Sequence, residues 1–259
     1  MKLVNFLPSK KGRFFKEPIL PFTISPYANF VAGNYVNLGG VGNLWQLGNN
    51  VHNFMICVRF KTFSTPNNVY KPIIENGTST TNGNGHSLGL YNNKVYFTGG
   101  RYIETINTYD DNEWHSAVYL YMRNINTSYL FVDDEIVEQT NAPVNHKAAS
   151  YTYAYILGIM NNGGGLFASS SFLGGISDIQ YYYKTSNLNP WTIDDALYYI
   201  NNHGNKVYDR VGTNILQGHS KVICNLQDNS GTTVETFMNA STTPINHSII
   251  GSTVDFWRP

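Results

Sequence analysis

Phe54-Met55-Ile56-Cys57-Val58-Arg59-Phe60-Lys61 is the stretch whose pattern settles the class of fold. Phe54, Ile56, Val58 and Phe60 alternate with Met55, Cys57, Arg59 and Lys61, the period-2 signature of a strand with one face in a core. The same rhythm extends along the chain. Residues 88–91 and 94–97 flank Asn92-Asn93, a two-residue connection that tolerates positive φ, as a type I′ hairpin requires. Trp114, Ser116, Val118 and Leu120 alternate with His115, Ala117, Tyr119 and Tyr121. Residues 129–132 and 136–137 flank the acidic turn Asp133-Asp134-Glu135, and residues 153–159 and 176–183 complete the central series. Between these last two, residues 161–171 are rich in glycine and serine and read as an exposed loop. Weaker strand signals follow at 222–226, 234–237 and 248–256.

One segment breaks the period. Thr192-Ile193-Asp194-Asp195 has capping-box spacing, with Thr192 as N-cap and Asp195 three residues on. Ile193, Ala196, Leu197 and Ile200 then recur at helical spacing, and Gly204 is placed to end the turn. A short amphipathic helix laid against the strands is expected.

Composition agrees with an all-β chain. Of 259 residues, 42% are apolar and only 13% charged, about half the usual charged share. Aromatics reach 14%, with 19 Tyr. Seventeen basic and seventeen acidic residues cancel, so there is no electrostatic footprint for nucleic acid. No apolar run approaches the roughly 20 residues that span a bilayer, so membrane insertion is not expected. The N-terminus lacks the apolar h-region and small-residue cleavage site of a signal peptide. Pro8, Pro18, Pro21 and Pro26, with Lys10, Lys11, Arg13 and Lys16, make residues 1–26 an extended basic arm, since so many prolines cannot join a sheet interior. Residues 27–259 are expected to form one domain. Cys57 and Cys224 lie in strand-like runs and are expected as buried thiols; whether they approach each other is left open.

The order of motifs is similar to that of laminin-G-like jelly rolls. Tyr35-Val36-Asn37-Leu38-Gly39 resembles their opening, and Trp114-His115 their Trp-His strand. Leu130-Phe131-Val132-Asp133-Asp134 resembles their Leu-Tyr-Val-Asp-Gly hairpin, with Asp134 in place of glycine. Leu157-Gly158 and Phe172-Leu173-Gly174-Gly175-Ile176-Ser177-Asp178-Ile179 resemble two further signatures, and the match covers about 33–205. The resemblance implies an all-β, two-sheet antiparallel jelly-roll sandwich of concanavalin A-like type with one short helix. It also implies binding of carbohydrate or protein, sometimes with calcium. A fold does not fix a function, so the site needs its own argument.

Catalysis is not expected. A glycosidase of this fold needs two carboxylates about 5–10 Å apart across a cleft, and the only acidic cluster, Asp133, Asp134, Glu135 and Glu138, falls on a hairpin turn. There is no Gly-x-Ser-x-Gly elbow, and the seven histidines show no zinc spacing. His115 reads as a strand residue satisfied by a neighbour. Calcium is the one cofactor left open. The segment from Glu75 to His86 offers Glu75, Asn76, Asn82 and Asn84 but a single charge, and Asp110, Asp111 and Glu113 read as a solvated turn.

Sugars are held by an aromatic face stacked on a pyranose, with amides and acids on its hydroxyls. The candidates on expected loops are Asn82, His86, Tyr102, Tyr109 and Asn162, with Tyr70 beside them. Charge-poor, Asn- and Tyr-rich composition and a basic arm together suggest a non-enzymatic virion protein of a bacteriophage, assembled in the host cytoplasm. The arm would contact other virion proteins. The jelly roll, repeated in a homo-oligomer, would attach to host-surface glycan with avidity. The rival is a bacterial glycan-binding module or a glycoside hydrolase of the same fold.

Overall fold

The computed structural model of the chain describes residues 27–30, 32, 35–37, 53–62, 68–79, 84–99, 102–140, 155–158, 160–162, 165–167, 170–184, 191–202, 219–225, 233–238, 243–250 and 257–258. The arm expected at 1–26, Asn82 and Gly204 lie outside them.

The N-terminal part supplies β1 (Tyr27–Phe30), β2 (Tyr35–Asn37), β3 (Asn53–Thr62), β4 (Lys71–Ser79), β5 (Asn84–Tyr91), β6 (Lys94–Thr98) and β7 (Tyr102–Glu104). The middle supplies β8 (His115–Met122), a 3-10 turn at Arg123–Ile125, β9 (Thr127–Val132), β10 (Glu135–Thr140), β11 (Tyr155–Leu157), β12 (Met160–Asn162), β13 (Gly165–Phe167) and β14 (Gly174–Lys184). Then come α1 (Ile193–Asn201), β15 (His219–Asn225), β16 (Thr233–Met238), β17 (Thr243–Ile250) and β18 (Trp257–Arg258).

Hydrogen-bonded neighbours follow the path β10–β9–β8–β3–β14, pass through β15–β16–β17–β2, and return as β11–β4–β5–β6–β7. Pairing is antiparallel throughout, as in β3 on β8 and β5 on β6. The two halves of the path face each other. Phe97 of β6 lies flat on Tyr119 of β8, with centroids 3.4 Å apart and planes 11° apart, and Phe54 of β3 sits 6.1 Å from Phe97. The result is a jelly-roll sandwich of two antiparallel layers with one helix.

Alternation decides what fills it. Phe54, Ile56, Val58 and Phe60 of β3, with Ala117, Tyr119 and Tyr121 of β8, meet Leu88, Leu90, Val95 and Phe97 from the opposite layer in one core. Each of the valine, leucine, isoleucine and phenylalanine side chains among them, fully buried, contributes about 1.5–3 kcal/mol. The other face of β3 departs from expectation. Met55 and Cys57 join Val118, Leu120, Tyr129 and Phe131 in a second core roofed by Trp191, Ala196, Tyr199 and Ile200. Helix α1 is therefore a third layer, and the strands beneath it are apolar on both faces because both are covered. Its start is the expected capping box: the Asp195 N–H donates to Thr192 Oγ1, and the Thr192 N–H donates to Asp195 Oδ2 at 2.9 Å.

The hairpins form as the asparagines and aspartates require. Asn92 and Asn93 have φ of 51° and 64°, and Asp133 in the β9–β10 turn has 48°, values at which short polar side chains are least strained. The glycine-rich stretch at 161–171 is not simply a loop. It contains β12 and β13 as an antiparallel pair, and Ser170 and Ser171 are buried. The strand expected at 153–159 breaks at Gly158, whose φ is 84° and where a Cβ would run into the Phe30 ring.

Candidate functional site

Strand alternation puts Val95, Phe97 and Ile103 in the core and leaves Lys94, Tyr96, Thr98, Tyr102 and Glu104 on the outer face of β6 and β7. There three tyrosines gather around Tyr96. Tyr102 stacks on it at 5.6 Å with planes 16° apart, Tyr70 meets it edge-on at 5.6 Å, and Tyr91 lies at 5.8 Å. Tyr102 is 61% exposed, the most exposed large apolar side chain among the described residues.

The platform is held from below and from the side. The Tyr70 hydroxyl donates to Ser87 Oγ at 2.6 Å, and Ser87 passes a hydrogen bond to the Ile74 carbonyl. Burial, then the neighbouring Tyr102 and Glu104, pushes the Tyr96 phenol up to about 12, so it stays a neutral hydroxyl at physiological pH. Lys94 reaches Glu104 at 3.5 Å across the same face, a half-exposed pair worth at most about 1 kcal/mol. Gln139 of β10 donates to the Tyr102 carbonyl at 3.1 Å and fixes the backbone beneath the exposed ring.

Of the residues named from sequence, the structure brings Tyr70 and Tyr102 together here and places the others elsewhere. His86 is not on a loop. It lies in β5, 1% exposed, against Phe54 and Phe97. Tyr109 does follow β7 in a loop, but its ring is 7% exposed and its hydroxyl donates to Glu135 Oε2 at 2.9 Å. Burial and Glu135 raise its pKa far above the ordinary phenol range. Neither ring offers a face to a ligand. Asn162 is placed by its backbone, in β12 opposite Gly165. β12 packs beside β4, which is three strands from β7, about 14 Å at ordinary strand spacing. Asn82 lies outside the described residues. Tyr96, the centre of the cluster, was not singled out from sequence, although its alternation with Val95 and Phe97 carried the signal.

The acidic cluster has structural duties. Asp133 accepts from the Ser116 N–H at 2.9 Å and bonds His115 Nδ1 at 2.7 Å. Glu135 accepts from the Ile106 and Asn107 N–H groups, the Asn107 side chain and Tyr109. Among the described residues no three His, Cys, Asp or Glu side chains are grouped to hold a metal ion.

No protein-family model and no curated sequence matches the chain. Solved structures do. A protein from Bacteroides ovatus described as a "putative carbohydrate binding protein" superposes with a TM-score of 0.59 at 14% identity, over 89% of this chain and 59% of the other. The chain thus spans about three fifths of that structure. The shared feature is the fold, a two-sheet jelly-roll sandwich. Weaker likenesses are the carbohydrate-binding module of a Ruminococcus gnavus sialidase bound to sialyllactose (TM-score 0.48, 13% identity, 69% of this chain and all of the other) and domains LG4–5 of mouse laminin α1 (0.43, 8%, 88% and 79%). At such identities these are likenesses of fold.

Proposed function

We propose that the protein is a non-enzymatic glycan-binding module whose contact surface is the tyrosine platform on β6 and β7. One observation carries the reading: Tyr102, 61% exposed, is held parallel to Tyr96 on a sheet face with Lys94 and Glu104 beside it. A flat ring fixed in orientation suits the C–H face of a pyranose, and the flanking ammonium and carboxylate suit its hydroxyls. The carbohydrate-binding assignment of the Bacteroides ovatus protein of like fold supports the class of ligand. The engagement of Asp133 and Glu135 by backbone N–H groups favours binding over hydrolysis. Display on a virion through residues 1–26, in a symmetric oligomer, is a further part of the proposal, supported by composition alone.

A glycan-array screen with calcium or a chelator tests the reading. Selective binding that survives chelation is expected, since the platform needs no metal. An array blank at high protein concentration would overturn it, and binding abolished by the chelator would shift the site away from the tyrosines.

A further inference from the structure

His115 is bonded at both ring nitrogens to carboxylates. Nδ1 meets Asp133 Oδ2 at 2.7 Å, and Nε2 meets Asp111 Oδ1 at 2.9 Å. A neutral imidazole carries one N–H, so one of these contacts would then set lone pair against lone pair; only imidazolium donates to both. The ring is 9% exposed, with Tyr109 edge-on at 4.9 Å and Phe60 at 5.6 Å. It joins two separate pieces of chain, the turn before β8 and the β9–β10 turn. We propose that His115 is an imidazolium latch that lets go of the Tyr109–Glu113 turn when it loses its proton.

The side that opens follows from the anchoring. Asp133 is fixed by the Ser116 N–H in a tight turn whose own N–H donates to the Ser116 carbonyl. Asp111 is the more exposed carboxylate, 55% against 42%, and is held otherwise by the Glu113 N–H within its own turn. The neutral ring keeps its proton on Nδ1 for Asp133, and the Asp111 contact breaks. What then holds the turn is the Asn112 N–H on the Thr62 carbonyl, the Tyr109 N–H on the Asn93 carbonyl and, at its first residue, the Tyr109 hydroxyl on Glu135.

The charges around the ring favour imidazolium. Asp111 and Asp133 face it directly, and Glu135 stands behind Tyr109. Asp110, Glu113 and Asp134 add negative charge in the same two turns. Arg59 and Lys61 of β3 instead lie over Trp114, at 5.7 and 5.4 Å. Burial pulls the imidazole toward neutrality, yet the hydrogen bonds and charges of Asp133 and Asp111 outweigh it, and its pKa is raised. The Asp111 carboxyl is lowered: burial opposes this, but the Glu113 N–H and His115 win. A raised histidine contributes stability in full below its ordinary pKa of about 6.5 and loses it as pH rises through the folded value. A lowered carboxylate contributes above its ordinary value of about 3.9 and loses it as pH falls through the folded one. The latch is closed between those limits.

The test pairs ¹⁵N imidazole NMR with amide hydrogen exchange, corrected for intrinsic rate, from about pH 5 to about pH 9, on the wild type and Asp111→Asn. His115 is expected as imidazolium at about pH 6.5, with protection of residues 109–113 falling in step with its titration. Asp111→Asn, at an exposed position, should lower the midpoint, because it removes one of the two carboxylates that favour the imidazolium. A neutral His115 at about pH 6, an unmoved midpoint in Asp111→Asn, or protection that stays constant while the ring titrates would each overturn the latch.

Discussion

Gly174 adopts φ of 146° as β14 begins, and a Cβ there would collide with the backbone of Lys61 and Thr62. Neither neighbour is a flexible side-chain tip, so the strand pair itself would have to move. Gly174→Ala is therefore expected to cost about 2–4 kcal/mol, read as a lower midpoint in urea denaturation. An unchanged midpoint would mean that β14 can shift against β3 freely. At this scale the sequence was partly legible. Asn92-Asn93 announced a positive-φ turn because the requirement is local. His86 and Tyr109 could not be placed, because what buries them is distant in sequence: Phe54 for the one, Glu135 for the other.

Helix α1 is the element that turns a two-layer sandwich into a three-layer one. Its capping box is written in four consecutive residues, so it could be read directly. What the helix would cover could not be read, although Met55 and Cys57 were already apolar on the second face of their strand, as were Val118 and Leu120 on one face of theirs. Thr192→Ala removes the acceptor of the Asp195 N–H and is expected to cost about 1 kcal/mol. Thermal melting followed by circular dichroism checks this, and a melting point equal to wild type would show that packing alone fixes the helix start. The β12–β13 hairpin carries the opposite lesson. Glycine and serine content pointed to an open loop, but Phe172 N–H bonding to the Gly158 carbonyl ties the end of this segment back to the sheet.

Over the whole molecule, the two ends of the strand path lie next to each other. β10 and β7 are its terminal strands, and unpaired edges invite association with other chains. Here Glu135 and Gln139 of β10 bond the backbone of Asn107 and Tyr102, across from one layer to the other. The closure that protects the edges also fixes the strand presenting Tyr102, so the proposed binding face is preorganised by the fold. The all-β class was legible because period-2 alternation repeats along the chain; the tyrosine platform was legible only in Tyr70 and Tyr102, since a cluster of outward tyrosines depends on which strands become neighbours. Tyr102 is exposed and outside the core, so replacing it should leave stability within about 0.5 kcal/mol of wild type. An aromatic contact is worth on the order of 0.5–1.5 kcal/mol, up to about tenfold in affinity. The decisive measurement is calorimetric titration of the best array oligosaccharide into wild type and Tyr102→Ala, with melting points taken in parallel. Affinity falling by about tenfold at an unchanged melting point is the predicted result; equal affinity in the two proteins would contradict a glycan site built on the tyrosine platform.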